Sequence, residues 1–287
     1  MEKIKNSRAR SFIVMLFVYL IAISGGIVLY DILPFNIYVN LLIADVFATV
    51  LTFIYSLVFD NASVYDPYWS VAPIVVGIYG VYSQGFNFVS TLIFIAVMLW
   101  GIRLTVNWAY TFKGLNFQDW RYTMLKEKTG KLYFFVNFFG IHLVPTLVVY
   151  GCMVPMLVAF ENDFTFNYGT LYFFLVALCA IALQLVSDIQ MHKYRKNRIA
   201  AFIRVGLWKY SRHPNYLGEI TMWWSVALMV VCAMPSAWYV TIGAFANTLM
   251  FLFISIPMAD KRQAKKEGFD EYKRETRMLF PIKKFTK

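Results

Sequence analysis

The sequence predicts an all-α, polytopic membrane helical bundle of seven to eight transmembrane helices, built as a single integral membrane domain over residues 1–287. Three observations carry that expectation. Hydrophobic residues fill 60% of the 287 positions and charged residues only 15%, against roughly 25% charged in a soluble domain. Apolar runs long enough to cross a bilayer recur along the chain. The cationic residues gather in alternate connections between those runs.

The first run, from Ser11 to Tyr30, follows Lys3, Lys5, Arg8 and Arg10. It lacks the small-residue cleavage site of a secretory signal, so it is expected to stay as a span. Further spans are expected near 37–59, 69–82, 87–110, 132–159, 168–190, 216–232 and 236–258. The third is short and suits a tilted or re-entrant segment. Cys152, Cys179 and Cys232 lie inside apolar runs without metal-ligand spacing and are expected to pack, and no metal site is expected.

Four of the 27 Lys and Arg residues lie in 1–10, five in 109–131, seven in 191–216 and ten in 259–287; the other is Arg103. The connections near 31–36, 83–86, 160–167 and 233–235 hold none. Eight spans put the four basic segments on one side, which by the positive-inside rule is the cytoplasm, with both termini there and a bacterial inner membrane as the setting. The net charge of +11 is therefore a topology signal. The bilayer is the expected partner, and nucleic acid is not, because the charge flanks spans instead of forming a basic domain.

The connection "FDNASVYDPYW", Phe59 to Trp69, carries Asp60 and Asp66 and no Lys or Arg. Two readings stay open: a solvated turn, since Asp-Pro and Asn are ordinary turn formers, or an aromatic, acidic loop facing a hydrophobic substrate. Within the spans, Asp45, Arg103, His142, Asp188 and Glu219 are ionisable, and a charge at mid-bilayer costs about 2.5–3.5 kcal/mol, so each needs a partner or a role. Asp45 is read as bonding a neighbouring helix. His142 is read as a hydrogen-bonded core residue.

In "QLVSDIQMHKYRKNR", Gln184, Asp188, His192 and Arg195 recur at helical spacing as one polar stripe leading into a basic loop that also holds Arg198. Such a stripe suits a long ligand with a hydrogen-bonding end inside and an anionic end outside; a solvated helix end with cations at its C-terminus explains Arg195 and Arg198 well, and Gln184 and Asp188 poorly. In "YSRHPNYLGEI", Tyr210 to Ile220, Pro214 favours the first turn of a new helix. The free N–H groups of that turn, beside Arg212 and His213, are expected to receive a phosphate or carboxylate. Asn215 and Glu219 share one helix face there, with Tyr216 next to them.

"YSRHPNYLGE" followed by "WW" resembles the signature of the steroid 5-alpha-reductase superfamily, in particular its uncharacterised bacterial membrane-protein branch. The resemblance runs from "SVYDPYWSVAP" through "WGIRLTVNWAYTFKGLNFQDWRY" to "IPMADKRQAKKEGFDEYKRETRMLFP", and is best in the C-terminal third. It implies NADPH bound within about 180–287, with contacts at Gln184, Asp188, Arg195 or Arg198, Tyr210, Asn215, Glu219 and Tyr272. The family often has Asn at the position of Gln184. The implied chemistry is reduction of a carbon–carbon double bond conjugated to a carbonyl, in a hydrophobic lipid-like or steroid-like substrate. Steroid-reducing members use a Glu and a Tyr as the acid. The matching region here offers Asp66 with Tyr65 and Tyr68, while Trp100 falls near the second Tyr. The loop Arg212 to Gly218 also fits the Arg-His-Pro-x-Tyr-x-Gly pattern of the isoprenylcysteine and phospholipid methyltransferases, which take S-adenosylmethionine. A non-enzymatic lipid-binding protein is the third reading.

Overall fold

Side-chain caps set the first two long helices. After a short turn, α1 (Glu2–Lys5), the Ser7 side chain accepts from Arg10 N–H to open α2 (Arg8–Ile32), and Asn36 accepts from Val39 N–H to open α3 (Ile37–Val58). The computed structural model describes residues 2–197 and 200–282. It continues with α4 (Tyr68–Gln84), α5 (Phe88–Thr111), α6 (Trp120–Thr129), α7 (Tyr133–Phe135), α8 (Val144–Glu161) and α9 (Tyr168–Asn197). It closes with α10 (Pro214–Ala233), α11 (Thr241–Met250), α12 (Ile256–Gln263) and α13 (Phe269–Glu275). A π-helical segment, Val136–Leu143, joins α7 to α8.

Among the described residues, seven helical stretches are long and apolar enough to span a bilayer: Arg8–Ile32, Ile37–Val58, Phe88–Thr111, Trp120–Glu161, Tyr168–Asn197, Pro214–Ala233 and Pro235–Gln263. The chain is a polytopic membrane bundle. The short third run is the one outside the seven. Its helix, α4, has 17 residues with Pro73 inside, about 25 Å of helix against a hydrocarbon core of roughly 30 Å.

The chain divides into two compact units: Met1–Phe86 with Val97–Glu161, and Asn87–Ala96 with Asn162–Lys287. In the first unit α2 packs on α3, and α8 packs on both α3 and α4. The connection after α3 does not lie in solvent. Ala62, Ser63, Val64 and Tyr65 are all buried. Tyr19 donates to the Val64 carbonyl at 3.0 Å, Asn61 Nδ2 to the Leu115 carbonyl at 2.7 Å, and the Asp119 N–H to Ser63 Oγ at 2.9 Å. Buried polar backbone needs such partners, and the segment after α5 supplies most of them. Of the two readings of this connection, the solvated turn is excluded.

In the second unit α9 and α10 pack along their lengths. Gly218 marks their closest approach: a Cβ there would lie 2.4 Å from Gln184 Cγ and 2.7 Å from the Ala180 carbonyl oxygen. Of the cysteines read as packing residues, Cys152 is buried and Cys179 is exposed.

Candidate functional site

In the first unit, Tyr68 opens α4 and its hydroxyl donates to Asp45 Oδ1 on α3 at 2.6 Å. The Tyr65 ring stacks on that of Tyr68 at 5.2 Å between centroids. The Tyr65 and Thr146 hydroxyls are 2.7 Å apart, and those of Thr146 and Thr49 are 2.8 Å apart. The His142 ring lies 4.7 Å from the Tyr65 ring, and its Nδ1 lies 2.9 Å from the Asn137 carbonyl oxygen, which fixes the proton on Nδ1. Each of these groups is buried. Asp45 thus does bond a neighbouring helix, and His142 is a core residue with one hydrogen bond.

The same unit holds a partly open cavity of about 100 Å³ lined by α2, α3, α4 and α8. Its walls are mostly aliphatic. Along α4 the lining runs from Tyr68, the first residue, to Gln84, the last, so Asp45 and Tyr68 close one end and Tyr30 and Tyr79 flank the other. At that far end Tyr79 donates to Asp31 and Tyr38 to Glu161. Asp45 Oδ2, on the cavity residue, has no hydrogen-bond partner in the protein.

Asp66 stands apart from this cluster. Its Oδ1 accepts from Tyr122 at 2.6 Å, and Arg121, held by Asp119 at 2.8 Å, lies beside it. Burial pushes the Asp66 carboxyl up to about 6; Asp119 adds to the rise, while Arg121 and the hydrogen bonds from Tyr122 and Ser63 oppose it. Burial likewise raises the Tyr65 phenol. The three residues expected to be catalytic therefore part company: Tyr65 and Tyr68 share a hydroxyl cluster, and Asp66 joins "DPYW" to "QDWRY". Sequence reading missed Thr49 and Thr146, two unremarkable threonines in apolar runs, and gave Asp45 no chemical role.

In the second unit, the signature loop meets the C-terminal segment. Arg212 Nη1 donates to the Thr276 carbonyl at 2.8 Å, and Nη2 reaches Asp260 Oδ2 at 3.2 Å. His213 Nε2 lies 2.9 Å from Asp260 Oδ1. The backbone N–H groups of Arg212 and His213 donate to the carbonyls of Arg277 and Met278. Tyr272 donates to the Trp208 carbonyl at 2.5 Å and is buried against Phe202 and Phe269, and burial raises its phenol pKa. Arg212, His213 and Tyr272 thus spend their visible hydrogen bonds on holding the tail.

The other expected contacts lie around the start of α10, where no side chain caps the first turn. The Tyr216 ring stacks on His213 at 5.2 Å. Glu219 accepts from Trp223 Nε1 at 3.0 Å. Gln184 is buried beside Gly218; Asp188 is half-buried, Arg195 exposed, and Tyr210 partly exposed. Arg198 lies outside the described residues. Asn215 Oδ1, Arg212 Nε and Gln263 Oε1 are buried without a hydrogen-bond partner in the protein. Buried polar atoms of this kind are costly unless something satisfies them. Asp260 and Gln263, one turn apart on α12, went unnoticed in the sequence because they sit in a charged run that reads as solvated.

A family model described as a protein of unknown function, DUF1295, matches residues 52–276. The chain belongs to the DUF1295 family. Within this DUF1295 chain the match takes in Tyr65, Thr146 and every expected cofactor contact, and leaves Asp45 and Thr49 outside. No curated protein and no solved structure matches the chain.

Proposed function

We propose that this DUF1295 protein is an NADPH-dependent membrane reductase of the steroid 5-alpha-reductase kind, acting on a carbon–carbon double bond conjugated to a carbonyl in a hydrophobic substrate. The observation that carries the reading is the Tyr68–Asp45 pair at one end of an apolar cavity. A carbonyl oxygen brought there meets a phenol whose O–H, given to Asp45 in the structure, turns to the substrate once the carboxyl is protonated and donates to the phenol in its place; in surroundings of low dielectric a donor aimed at developing negative charge is worth far more than in water. Tyr65 supports Tyr68 through the ring stack. The mostly aliphatic walls suit a flat or long lipid.

NADPH supplies hydride to the distal alkene carbon when bound. Asn215 and Gln263, with buried amide oxygens to satisfy, fit the amino and carboxamide N–H groups of a dinucleotide; Gln184, Asp188 and Glu219 line the same helix pair, and Arg195 suits a phosphate. Arg212 and His213 act in this reading by shaping the loop. The charge pattern supports cytoplasmic termini in a bacterial inner membrane.

Thermal stability of the purified protein with NADPH, and separately with S-adenosylmethionine, tests the cofactor. Stabilisation by NADPH, weakened by Asn215→Ala, is expected; stabilisation by S-adenosylmethionine alone identifies a methyltransferase, and by neither a lipid-binding protein. A two-hydrogen mass difference between lipids of cells with and without the gene would name the substrate.

A further inference from the structure

The cavity in the first unit has two unlike ends. One end is closed: Tyr19, Asp45, Ala48 and Tyr68, which line it, are all buried. From there the lining runs along α2 from Tyr19 to Tyr30, along α3 from Ala48 back to Ile37, and along α4 from Tyr68 to Gln84. The far end therefore lies where those helices stop, and there the lining residues Ser83 and Gln84 are exposed. That end is the mouth. Its border is acidic: Asp31 follows Tyr30, and Glu161 follows the lining residue Phe160. Both carboxylates are exposed, and each accepts from a phenol, Asp31 from Tyr79 and Glu161 from Tyr38. The connections 31–36, 83–86 and 160–167 contain no Lys or Arg to offset them.

At the closed end, Asp45 is 6% exposed and its Oδ2 has no hydrogen-bond partner among the described residues. A buried polar atom of this kind, on a residue that lines a cavity, calls for a ligand group to meet it. We infer that the cavity is loaded from its acidic mouth by an amphiphile that enters carbonyl end first and trails a hydrogen-bond donor, a hydroxyl or a protonated amine, and not a phosphate or carboxylate. The inference rests on the reductase reading for the carbonyl and for calling the occupant a substrate. Aliphatic walls give affinity without choosing between lipids, so the choice falls to the two ends. An ionised carboxylate only accepts, so Asp31 and Glu161 receive a hydroxyl or ammonium and repel an anion, and the apolar bundle behind them screens that repulsion poorly. Exposed carboxylates elsewhere often do no more than solvate a helix end. Here the donor that holds Asp31, Tyr79, is itself part of the cavity wall, with its ring 5.2 Å from that of Tyr30, another lining residue. The repulsion also answers a need: an apolar cavity open at a membrane would otherwise fill with the phosphate- and carboxylate-bearing lipids around it.

The test needs neither cofactor nor turnover. Three tritiated probes, the ω-hydroxy, ω-amino and ω-carboxy forms of one saturated long-chain methyl ketone, are bound at equilibrium to the whole protein in nanodiscs of zwitterionic lipid. Val76→Trp, which puts an indole into the cavity wall, gives the background due to the lipid; Ala72→Trp, at another lining position, takes its place if that variant does not fold. The carboxylate probe is expected to bind about tenfold more weakly than the hydroxyl or the amine probe. A gap for the hydroxyl probe marks hydrogen bonding at the mouth and a gap for the amine probe alone marks charge, and either result supports the inference. Asp31→Asn combined with Glu161→Gln is expected to close the gap by admitting the carboxylate probe. Equal binding of the three probes to the unaltered protein overturns the inference. So does a gap that survives the double substitution, or binding that persists undiminished in a folded Trp variant. Since no probe carries a reducible double bond and no NADPH is present, none of these results bears on whether the protein is a reductase.

Discussion

The first unit's polar cluster and the second unit's signature loop are both buried and hydrogen-bonded, yet they solve different problems. Around Asp45 the side-chain partner is the Tyr68 hydroxyl, which carries no charge, and the Tyr65, Thr146 and Thr49 hydroxyls nearby bond one another inside an apolar bundle. Around Asp260 the partners are a guanidinium and an imidazole, and the bonds run onward to tail carbonyls. A charge taken from water has to be paired and further hydrogen-bonded, and the arginine fork does both at once. The contrast teaches that the most recognisable motif, Arg-His-Pro, is consumed largely by architecture, while the less conspicuous tyrosines and threonines hold the arrangement suited to chemistry.

The sharpest way to break the contrast is Arg212→Ala. It leaves Asp260 with one partner and frees the tail, and is expected to cost about 3 kcal/mol, read as a lower melting temperature and faster proteolysis after α12. Arg212→Lys should restore little, because a point charge cannot serve Asp260 and Thr276 together. Gly218→Ala comes next, at about 2 kcal/mol: its Cβ meets the Ala180 carbonyl oxygen at 2.7 Å, and backbone cannot step aside as a side chain can. Tyr68→Phe is expected to lose about 1–2 kcal/mol, because Asp45 Oδ1 is left without its donor, and to abolish substrate reduction while NADPH affinity stays as it was. Asn215→Ala should show the converse, weaker NADPH binding with an unchanged melting temperature.

The smallest effects separate burial from exposure. Asp66 has its folded pKa raised to about 6 from an unfolded 3.8, mainly by burial. The folded state therefore holds the proton more tightly, and this contribution to stability is full below the unfolded value and is lost as pH rises through about 6. Asp66→Asn should flatten that slope, a change on the order of 1 kcal/mol after solvent screening of a half-buried group. The exposed pair Lys126–Asp60, at 2.7 Å, should be worth under about 1 kcal/mol by double-mutant cycle, and less at high salt.

Helix class, the long spans and the grouping of basic connections were legible in the sequence, because hydropathy and charge act within one segment and need no partner. Even the weakness of the third run was visible, since the shortness of the apolar stretch 69–82 is a local fact. Which side chains meet was not. Asp45 and Tyr68 are 23 positions apart, and Thr49 and Thr146 are 97 apart. Their contact depends on how far each helix is rotated and how deep it sits beside its neighbour. Those two quantities come from packing small residues against a facing backbone, as Gly26 of α2 packs against the Ala44 carbonyl of α3. The same is true of Arg212, whose sequence neighbours promise an anion site and whose fold hands it a tail.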